Sequence, residues 1–226
     1  MASRAIPPST PFPTLETPLG PVHFWFSCAE IEPAAFPAAS VARDAPGVAR
    51  YRFQDSSAIL ELVIGEIQPE LPTNMTVAGC RAALWRIAAR RGLSRLRFRA
   101  EWPDPTGRAD GTPNPGEHLD AFTWRLADSM LSLGTEDGEA LAVRAELHEG
   151  VPARLSGQLT YSTVEYTSSG MVVPIAELYP GERLEIHFLV AWAHGVSEES
   201  PATWFAVEQK HREVVRMLHI RGVLQD

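Results

Sequence analysis

The stretch Arg95-Leu96-Arg97-Phe98-Arg99-Ala100 decides the fold class, because charged and apolar side chains alternate along it with a period of two. Successive side chains of a β-strand point to opposite faces, so this pattern predicts a half-buried strand with its three arginines on the solvent face. Similar strand patterns recur through most of the chain. The sequence therefore predicts an α+β, β-rich protein built from antiparallel sheets.

Further strands are predicted where β-branched and aromatic residues cluster between turn signals. These strands are Val22–Cys28, Val48–Phe53, Ser57–Ile67, Leu155–Glu165, Met171–Leu178 and Arg183–Ala193. Asp55-Ser56 predicts a hairpin between the second and third of them, and Tyr179–Glu182 predicts a tight turn before the last. Thr160–Ser169 has hydroxyl groups on both faces, which predicts an edge strand or the lining of a groove.

Residues 121–133 contain apolar side chains at spacings that fit either a strand or a helix. The segment after them favours the strand. Gly134–Gly138 is a turn signature, and apolar residues alternate with polar ones over Glu139–His148. We therefore expect a hairpin across this region.

Two helices are predicted. Val77–Arg91 has apolar residues at helical spacing, with Thr76 placed to cap its start and Gly92 placed to end it. This helix is expected to cover the first half of the protein. Glu208–Ile220 is expected to close the chain as a second helix, with an apolar side and an acid–base pair four residues apart.

Proline divides the chain into regions. Met1–Pro21 holds six of the 19 prolines, which predicts an extended arm with little apolar surface for the core. The arm is either a loose tail or a segment that contacts a partner or a second subunit. Pro103–Gly116 predicts a long loop between residues 22–102, an α+β half, and residues 118–226, an antiparallel β-rich half ending in a helix. The two halves form either separate domains or one continuous domain.

The charge is divided unevenly about Trp102. There are 11 basic and 9 acidic residues up to that position, and 9 basic and 19 acidic residues after it, so the halves differ by twelve charges. An acidic second half disfavours a nucleic-acid partner.

The chain start has no apolar signal segment, and no apolar run is long enough to span a membrane. We expect a soluble, cytoplasmic protein, and an arginine-rich, lysine-poor composition favours a bacterial source.

The sequence contains no phosphate-binding loop, dinucleotide fingerprint, nucleophile elbow, zinc-protease motif or paired-cysteine metal motif. Cys28 and Cys80 lie in apolar contexts, which predicts structural thiols. No cofactor and no metal are expected. These observations favour a non-catalytic protein that binds a protein partner or assembles as a homo-oligomer.

The alternative is an enzyme or enzyme subunit whose site combines histidines with neighbouring carboxylates. On a strand, residues two apart share a face, so a glutamate and a histidine at that spacing could form a general base or two metal ligands. The candidate catalytic residues are His118, His148, His187, Glu146 and Glu185. A solvated polar face of a sheet would produce the same pattern.

Seven arginines lie between Arg81 and Arg99 with no acidic residue among them. Guanidinium groups bind carboxylates and phosphates in bidentate geometry, so this rim could hold an anionic substrate or partner. The candidate binding residues are Arg90, Arg91, Arg95, Arg97 and Arg99. The alternative is that the arginines pair with Glu61, Glu66 or the acidic second half.

Overall fold

A computed structural model describes residues 13–30, 40–45, 47–54, 56–104, 107, 109–195, 201–220 and 224. The strands are β1 (Thr14–Thr17), β2 (Gly20–Ser27), β3 (Ser40–Ala45), β4 (Val48–Gln54), β5 (Ala58–Glu66), β6 (Gly79–Ala89), β7 (Leu93–Glu101), β8 (Asp110–Pro113), β9 (Leu119–Leu126), β10 (Ser129–Glu136), β11 (Glu165–Thr167), β12 (Gly170–Leu178) and β13 (Arg183–His194). The helices are α1 (Gly138–Glu146), α2 (Ala202–Val207) and α3 (His211–Met217), with a 3₁₀ helix at Ala153–Gln158. The expected α+β, β-rich class with antiparallel sheets is confirmed.

The strands form two sheets that pack face to face. The five-stranded sheet has the order β1-β2-β7-β12-β11, and the eight-stranded sheet has the order β3-β4-β5-β6-β13-β10-β9-β8. β7 pairs with β12, and β6 pairs with β13. Each sheet therefore contains strands from both sides of the predicted loop Pro103–Gly116.

Aromatic side chains fill the space between the sheets. Phe24, Phe26 and Phe98 come from the five-stranded sheet, and Trp85 and Phe188 come from the eight-stranded sheet. The rings of Phe26 and Trp85, and those of Phe24 and Phe188, lie 6.2 Å apart between centroids. Removing these large apolar surfaces from water is the main force that holds the sheets together.

The alternation in Arg95–Ala100 is confirmed within β7. Leu96 and Phe98 are buried in the core between the sheets, while Arg95, Arg97 and Arg99 are exposed on the outer face. The predicted strands at Met171–Leu178 and Arg183–Ala193 are also confirmed as β12 and β13, although they belong to different sheets. The predicted hairpin before Ile67 is confirmed as the pair β4 and β5.

The outer face of the eight-stranded sheet is buried beneath α2 and α3. Leu84 of β6 and Leu189 of β13 share an apolar cluster with Val207 of α2. The predicted helix Val77–Arg91 is wrong, because this segment forms β6. A strand covered on both faces has apolar residues at nearly every position, and such a run also satisfies helical spacing.

The predicted strand over Glu139–His148 is wrong as well, because most of this segment forms α1. The Asp137 side chain caps α1 by accepting a hydrogen bond from the Ala140 amide at 2.7 Å. The hairpin of this region instead joins β9 and β10, which confirms that residues 121–133 form strands. Gly134 lies within β10 rather than in a turn, at a position where a Cβ atom would lie 2.7 Å from Cβ of Val207.

The remaining boundaries differ from the predictions in detail. Leu155–Glu165 is not a continuous strand, because it begins within the 3₁₀ helix, and β11 starts only at Glu165. The predicted edge position is confirmed, since β11 ends the five-stranded sheet. α3 is shorter than the predicted helix Glu208–Ile220, and α2 was not predicted.

The described helices are all too short, or too polar, to cross a membrane.

Two segments predicted as irregular contain strands. Residues 1–12 of the predicted arm lie outside the described part of the chain. Thr14–Thr17 forms β1, which pairs with β2 and buries Leu15 in the core. The arm was expected to offer little apolar surface to the core, and Leu15 is the residue of β1 that it contributes. Asp110–Pro113, inside the predicted loop, forms β8 at the edge of the eight-stranded sheet.

Candidate functional site

A row of charged side chains crosses the covered face of the eight-stranded sheet. Glu61 of β5, Arg86 of β6 and Glu185 of β13 lie opposite one another in the strand register. Arg86 donates from Nη1 to Glu61 at 3.0 Å and from Nε to Glu185 at 2.8 Å. Arg50 of β4 donates to the same Glu61 oxygen at 2.8 Å. The row alternates in sign, so each buried charge faces an opposite charge.

Two histidines continue this row towards α3. His187 follows Glu185 by two residues on β13, so both side chains point to the covered face. Nδ1 of His187 lies 3.3 Å from Nδ1 of His211, the first residue of α3. Nε2 of His211 lies 3.1 Å from a carboxylate oxygen of Glu185. α3 therefore places the His211 ring between a histidine and a carboxylate of β13.

Glu136, the last residue of β10, completes the site. Its Oε2 atom lies 3.7 Å from Nδ1 of His187 and accepts a hydrogen bond from Arg144 of α1 at 2.6 Å. Arg144 also donates to the carbonyl oxygens of Glu149 and Glu185, at 2.9 and 3.0 Å. One guanidinium group thus connects α1 to the site. We refer to Glu136, His187 and His211 as the histidine–carboxylate cluster.

Burial and hydrogen bonding set the protonation states of these groups. Burial lowers the pKa of His187 to about 3, so its ring is neutral at pH 7. Burial would raise the pKa of Glu185, but hydrogen bonds from His211 and Arg86 outweigh burial and lower that pKa to about 2. Burial also opposes ionisation of Glu136, yet the charge of Arg144 holds the pKa of Glu136 below its usual value. A neutral imidazole and an ionised carboxylate are the forms that bind metal ions.

The separations within the cluster match those between ligands of one metal ion. The donor atoms of Glu136, His187 and His211 all lie within 4.8 Å of one another. Two ligands of a tetrahedral zinc ion lie about 3.3–3.5 Å apart, because zinc–nitrogen distances are about 2.0–2.1 Å. The observed separations of 3.3 Å and 3.7 Å are close to this value.

Both imidazole rings of the cluster are also held by groups outside it. His211 contacts the Glu185 carboxylate through Nε2, and the His187 ring hydrogen-bonds to the backbone of Gln209. Carboxylates and backbone carbonyls in such positions orient the histidine ligands of metal sites. A second group with suitable spacing consists of His118, Asp137 and Glu139, but His118 and Glu139 are exposed. The histidine–carboxylate cluster is therefore the stronger candidate.

A cleft of about 670 Å³ opens beside the cluster, between α1 and the chain that leads into α3. Glu136 and His211 line it, together with Val143 of α1 and Leu147 just after α1, which are both exposed. The other lining residues are Glu117, His118, Leu119, Ala140, Arg144, Glu149, Glu208, Gln209, Lys210, Arg212 and Glu213. The cleft has the volume of a small-molecule site and combines apolar with polar walls.

The predicted catalytic residues divide between this site and the surface. Glu185 and His187 share one strand face at the buried site, as their spacing predicts. His118 lines the cleft but is exposed. Glu146 and His148 are exposed at the end of α1, so the prediction that they share a strand face is wrong.

Sequence reasoning missed Glu136, His211 and Arg144. These residues come from elements far from His187 in the sequence, and their spacing gives no sign that they meet. One signal was available for His211. It precedes Val214 and Leu218 by three and seven residues, which places it on the apolar side of the predicted C-terminal helix.

The arginine rim consists of residues in different environments. Arg86 is buried in the charged row, Arg97 pairs with Glu165 at 2.5 Å, and Arg99 pairs with Glu101. The alternative in which the arginines pair with Glu61, Glu66 or the acidic second half therefore applies to Arg86 and Arg97, whereas Arg99 pairs with an acid of the first half. Arg95 is exposed on β7, and Arg90 and Arg91 are exposed just beyond the end of β6.

The cysteines lie apart from the cluster. Cys80 is buried on β6, and burial strongly raises the pKa of its thiol, so the thiolate does not form near neutral pH. Cys28 is half-buried. Cys80 therefore has a structural role, as its apolar context predicts.

Comparisons with known proteins identify no family. No family model matches the chain, and no curated protein matches it. Among solved structures, the chain is similar to one described as "Putative kojibiose phosphorylase from human microbiome", with a TM-score of 0.49 and 7% sequence identity. That match covers 87% of this chain and 26% of the other, so the chain spans about a quarter of that protein's length.

Proposed function

We propose that the protein is a metal-dependent enzyme in which Glu136, His187 and His211 bind one divalent transition ion, zinc or a related ion. The observation that best supports this is the spacing of the donor atoms. Nδ1 of His187 lies 3.3 Å from Nδ1 of His211 and 3.7 Å from Oε2 of Glu136. Three protein donors leave one coordination position for water or substrate, as in catalytic zinc sites. This proposal replaces the sequence-based expectation that no metal is bound.

A divalent ion at this position supplies a nucleophile, because it lowers the pKa of a bound water to about 7. That chemistry suits hydrolysis of a carbonyl or phosphoryl bond. The cleft gives a substrate access to the side of the cluster where Glu136 and His211 form part of its wall. Val143 and Leu147 provide apolar contact for the part of the substrate that does not react.

Glu185 acts in this proposal as a positioning residue for His211. It accepts from His211, and Arg86 in turn holds Glu185 in place. Residues that orient metal ligands usually contribute 10- to 100-fold to metal affinity. We expect Glu185→Gln to weaken metal binding by about that factor without abolishing it.

Cobalt and zinc titration tests the metal site. Protein stripped with a chelator is titrated with Co²⁺ while the visible absorption is recorded, and zinc content is measured by elemental analysis after reloading. We expect one ion per chain, no binding in His187→Ala or His211→Ala, and full binding in His148→Ala, a matched control on the surface. Equal binding by the parent and His211→Ala contradicts the proposal, as does a folded parent that binds neither ion.

Hydrolysis of nitrophenyl esters and phosphates tests the enzymatic part separately. We expect turnover by the zinc-loaded parent, loss of turnover on chelation, and recovery on reloading. We expect no metal-dependent turnover by the His211→Ala variant. Stoichiometric metal binding without turnover of any carbonyl or phosphoryl compound leaves a metal-binding protein and overturns the assignment as a hydrolase.

Protein binding is the second candidate function. The observation that favours it is the exposed edge of the eight-stranded sheet, where all four residues of β8 are exposed. A partner chain can add a strand to such an edge through backbone hydrogen bonds. Light scattering of the purified protein tests whether a second copy is the partner. A monomer at all concentrations argues against self-association.

A further inference from the structure

A groove of about 550 Å³ lies on the five-stranded sheet, separate from the cleft beside the cluster. Arg95 and Arg97 of β7 line it, with Pro174 and Ala176 of β12 beneath. The segment Gln158–Glu165 contributes hydroxyl and amide groups from the other side. The volume is that of a small-molecule site, and its polar side chains are two arginines, a glutamine, a glutamate and three hydroxyl residues.

Arg95 has an unusual backbone conformation for a strand residue. Its φ is +52°, in the left-handed region that L-residues other than asparagine and aspartate rarely adopt. The paired positions Ser94 with Glu177 and Leu96 with Ile175 flank it on β7. Strained residues of this kind are concentrated at ligand-binding positions, where the surrounding structure maintains the strain.

The Arg95 guanidinium forms no hydrogen bond with a carboxylate in the described ranges. Its charge acts on Glu30, which is itself hydrogen-bonded to the Ser94 amide and hydroxyl at 2.7 and 2.6 Å. Arg95 is exposed and lines the groove. Its donors are therefore available to a ligand.

Arg97 is the second cation of the groove, and its partner is exchangeable. Arg97 and Glu165 are each about half exposed, at 47% and 49%, so the pair gains little over the solvated ions. Residues 95 and 97 lie on the same strand face, so one ligand can reach both side chains. Thr160 and Ser162 add hydroxyl groups that hydrogen-bond only to each other, at 3.2 Å, among the described residues.

We propose that this groove binds the phosphate group of a small molecule. Arg95 is the principal residue that contacts the phosphate, and Arg97 also contacts it when its ion pair with Glu165 opens. Arginine suits this role because its planar fork of N–H donors matches a phosphate in bidentate geometry. Hydroxyl donors from Thr160 and Ser162 match the additional oxygen atoms that a tetrahedral anion presents.

Titration calorimetry with inorganic phosphate and pyrophosphate, at constant ionic strength in chloride, tests the site. We expect saturable binding by the parent that weakens at least tenfold in Arg95→Gln and tightens several-fold in Glu165→Gln, which frees Arg97. Arg99→Gln is the matched control, since Arg99 lies on the same strand face but pairs with Glu101 and does not line the groove. Its affinity should stay within twofold of the parent.

Four outcomes overturn this proposal. The first two are the absence of saturable phosphate binding by the folded parent and equal binding by Arg95→Gln and the parent. The third is loss of binding in His211→Ala, which assigns the phosphate to the metal cluster instead. Tighter binding of citrate than of either phosphate identifies the ligand as a carboxylate and overturns the choice of phosphate.

Discussion

Arginine–glutamate pairs occur on the outer faces of both sheets, but in opposite environments. Arg86 and Glu61 of the eight-stranded sheet are each 3% exposed, whereas Arg97 and Glu165 of the five-stranded sheet are about half exposed. An exposed pair gains little because water solvates the separate ions almost as well. A buried pair is costly to break because the remaining charge lacks both water and a partner. The same residue types therefore fix structure on one sheet and remain solvated on the other.

The helices cause this difference. α2 and α3 cover the eight-stranded sheet, and α3 adds His211 to the charged row that they bury. Charges persist there only because Glu61, Arg86 and Glu185 alternate in sign across neighbouring strands. The face of β7 that presents Arg95, Arg97 and Arg99 is exposed to solvent.

The largest expected effect is that of Arg86→Ala. This change leaves Glu61 and Glu185 close together without the guanidinium that lies between them. Removing one partner from a buried network costs about 3–5 kcal/mol of unfolding free energy. At about 2–4 °C per kcal/mol for a chain of this length, the Tm should fall by about 6–20 °C. Urea denaturation and thermal melting followed by circular dichroism measure both quantities.

A combined variant separates charge from packing in this experiment. Replacing Glu61, Arg86 and Glu185 together with methionine removes three charges of the row at similar volume and leaves Arg50, which is 22% exposed and reaches solvent. Such replacements of whole networks are often neutral or stabilising. We expect the triple variant to be more stable than Arg86→Ala. If it is equally unstable, packing rather than charge explains the effect.

Asp120 provides an intermediate case, a buried carboxyl group that pairs with no cation among the described residues. Tyr166 donates to its Oδ1 at 2.5 Å, while Oδ2 is buried without a hydrogen-bond partner in the described part of the chain. Burial raises the pKa of Asp120, and the charge of Asp137 adds to this effect, whereas the Tyr166 hydrogen bond opposes it. The folded protein therefore binds this proton more tightly than the unfolded chain does.

The sign of the pH dependence follows from that raised pKa. The contribution of Asp120 to stability is fully present below its unfolded pKa and is lost as pH rises through the folded pKa. Asp120→Asn stays neutral, and its amide oxygen still accepts from Tyr166. We expect this variant to be more stable than the parent at pH 7, by on the order of 1 kcal/mol. Urea denaturation at pH 7 and pH 3.5 should show the difference shrinking at the lower pH. A variant that is less stable at pH 7 contradicts the account.

The sequence correctly predicted the features that depend only on residues close to one another within a single strand. The alternation in β7 predicted which arginines are exposed, and the spacing of Glu185 and His187 predicted that they share a face. The sequence-based prediction failed for β6, because a strand buried on both faces has no alternation of polar and apolar residues to detect. It failed for α1 because Leu141 and Ala145 satisfy a period of two as well as the helical spacing.

The histidine–carboxylate cluster could not be assembled from sequence because its members meet only through tertiary structure. β10, β13 and α3 bring Glu136, His187 and His211 together, and no local pattern links these elements. The pairing of Arg86 with Glu61 and Glu185 likewise depends on strand register. Strand register follows from which faces are buried, and this in turn depends on where the helices pack.

The smallest expected effect is that of changing Arg95, Arg97 and Arg99 together to glutamine. The three side chains are exposed, and the carboxylates that lose a partner, Glu165 and Glu101, retain contact with solvent. We expect the triple variant to fold and to keep its unfolding free energy within about 1 kcal/mol of the parent. Urea denaturation of both proteins at the same ionic strength measures this difference.

The same triple variant distinguishes a small anionic ligand from a polyanion. If nucleic acid bound the three arginines, log K would fall with log salt at a slope of about −2.7, since each phosphate contact contributes about −0.9. We expect no such complex, because the residues after Trp102 have a net charge of −10, from 9 basic and 19 acidic residues, and repel a polyanion. Fluorescence anisotropy with labelled DNA and RNA at several salt concentrations tests this. A tight complex with that slope, lost in the triple variant, would show that the exposed arginines overcome the charge of the acidic part.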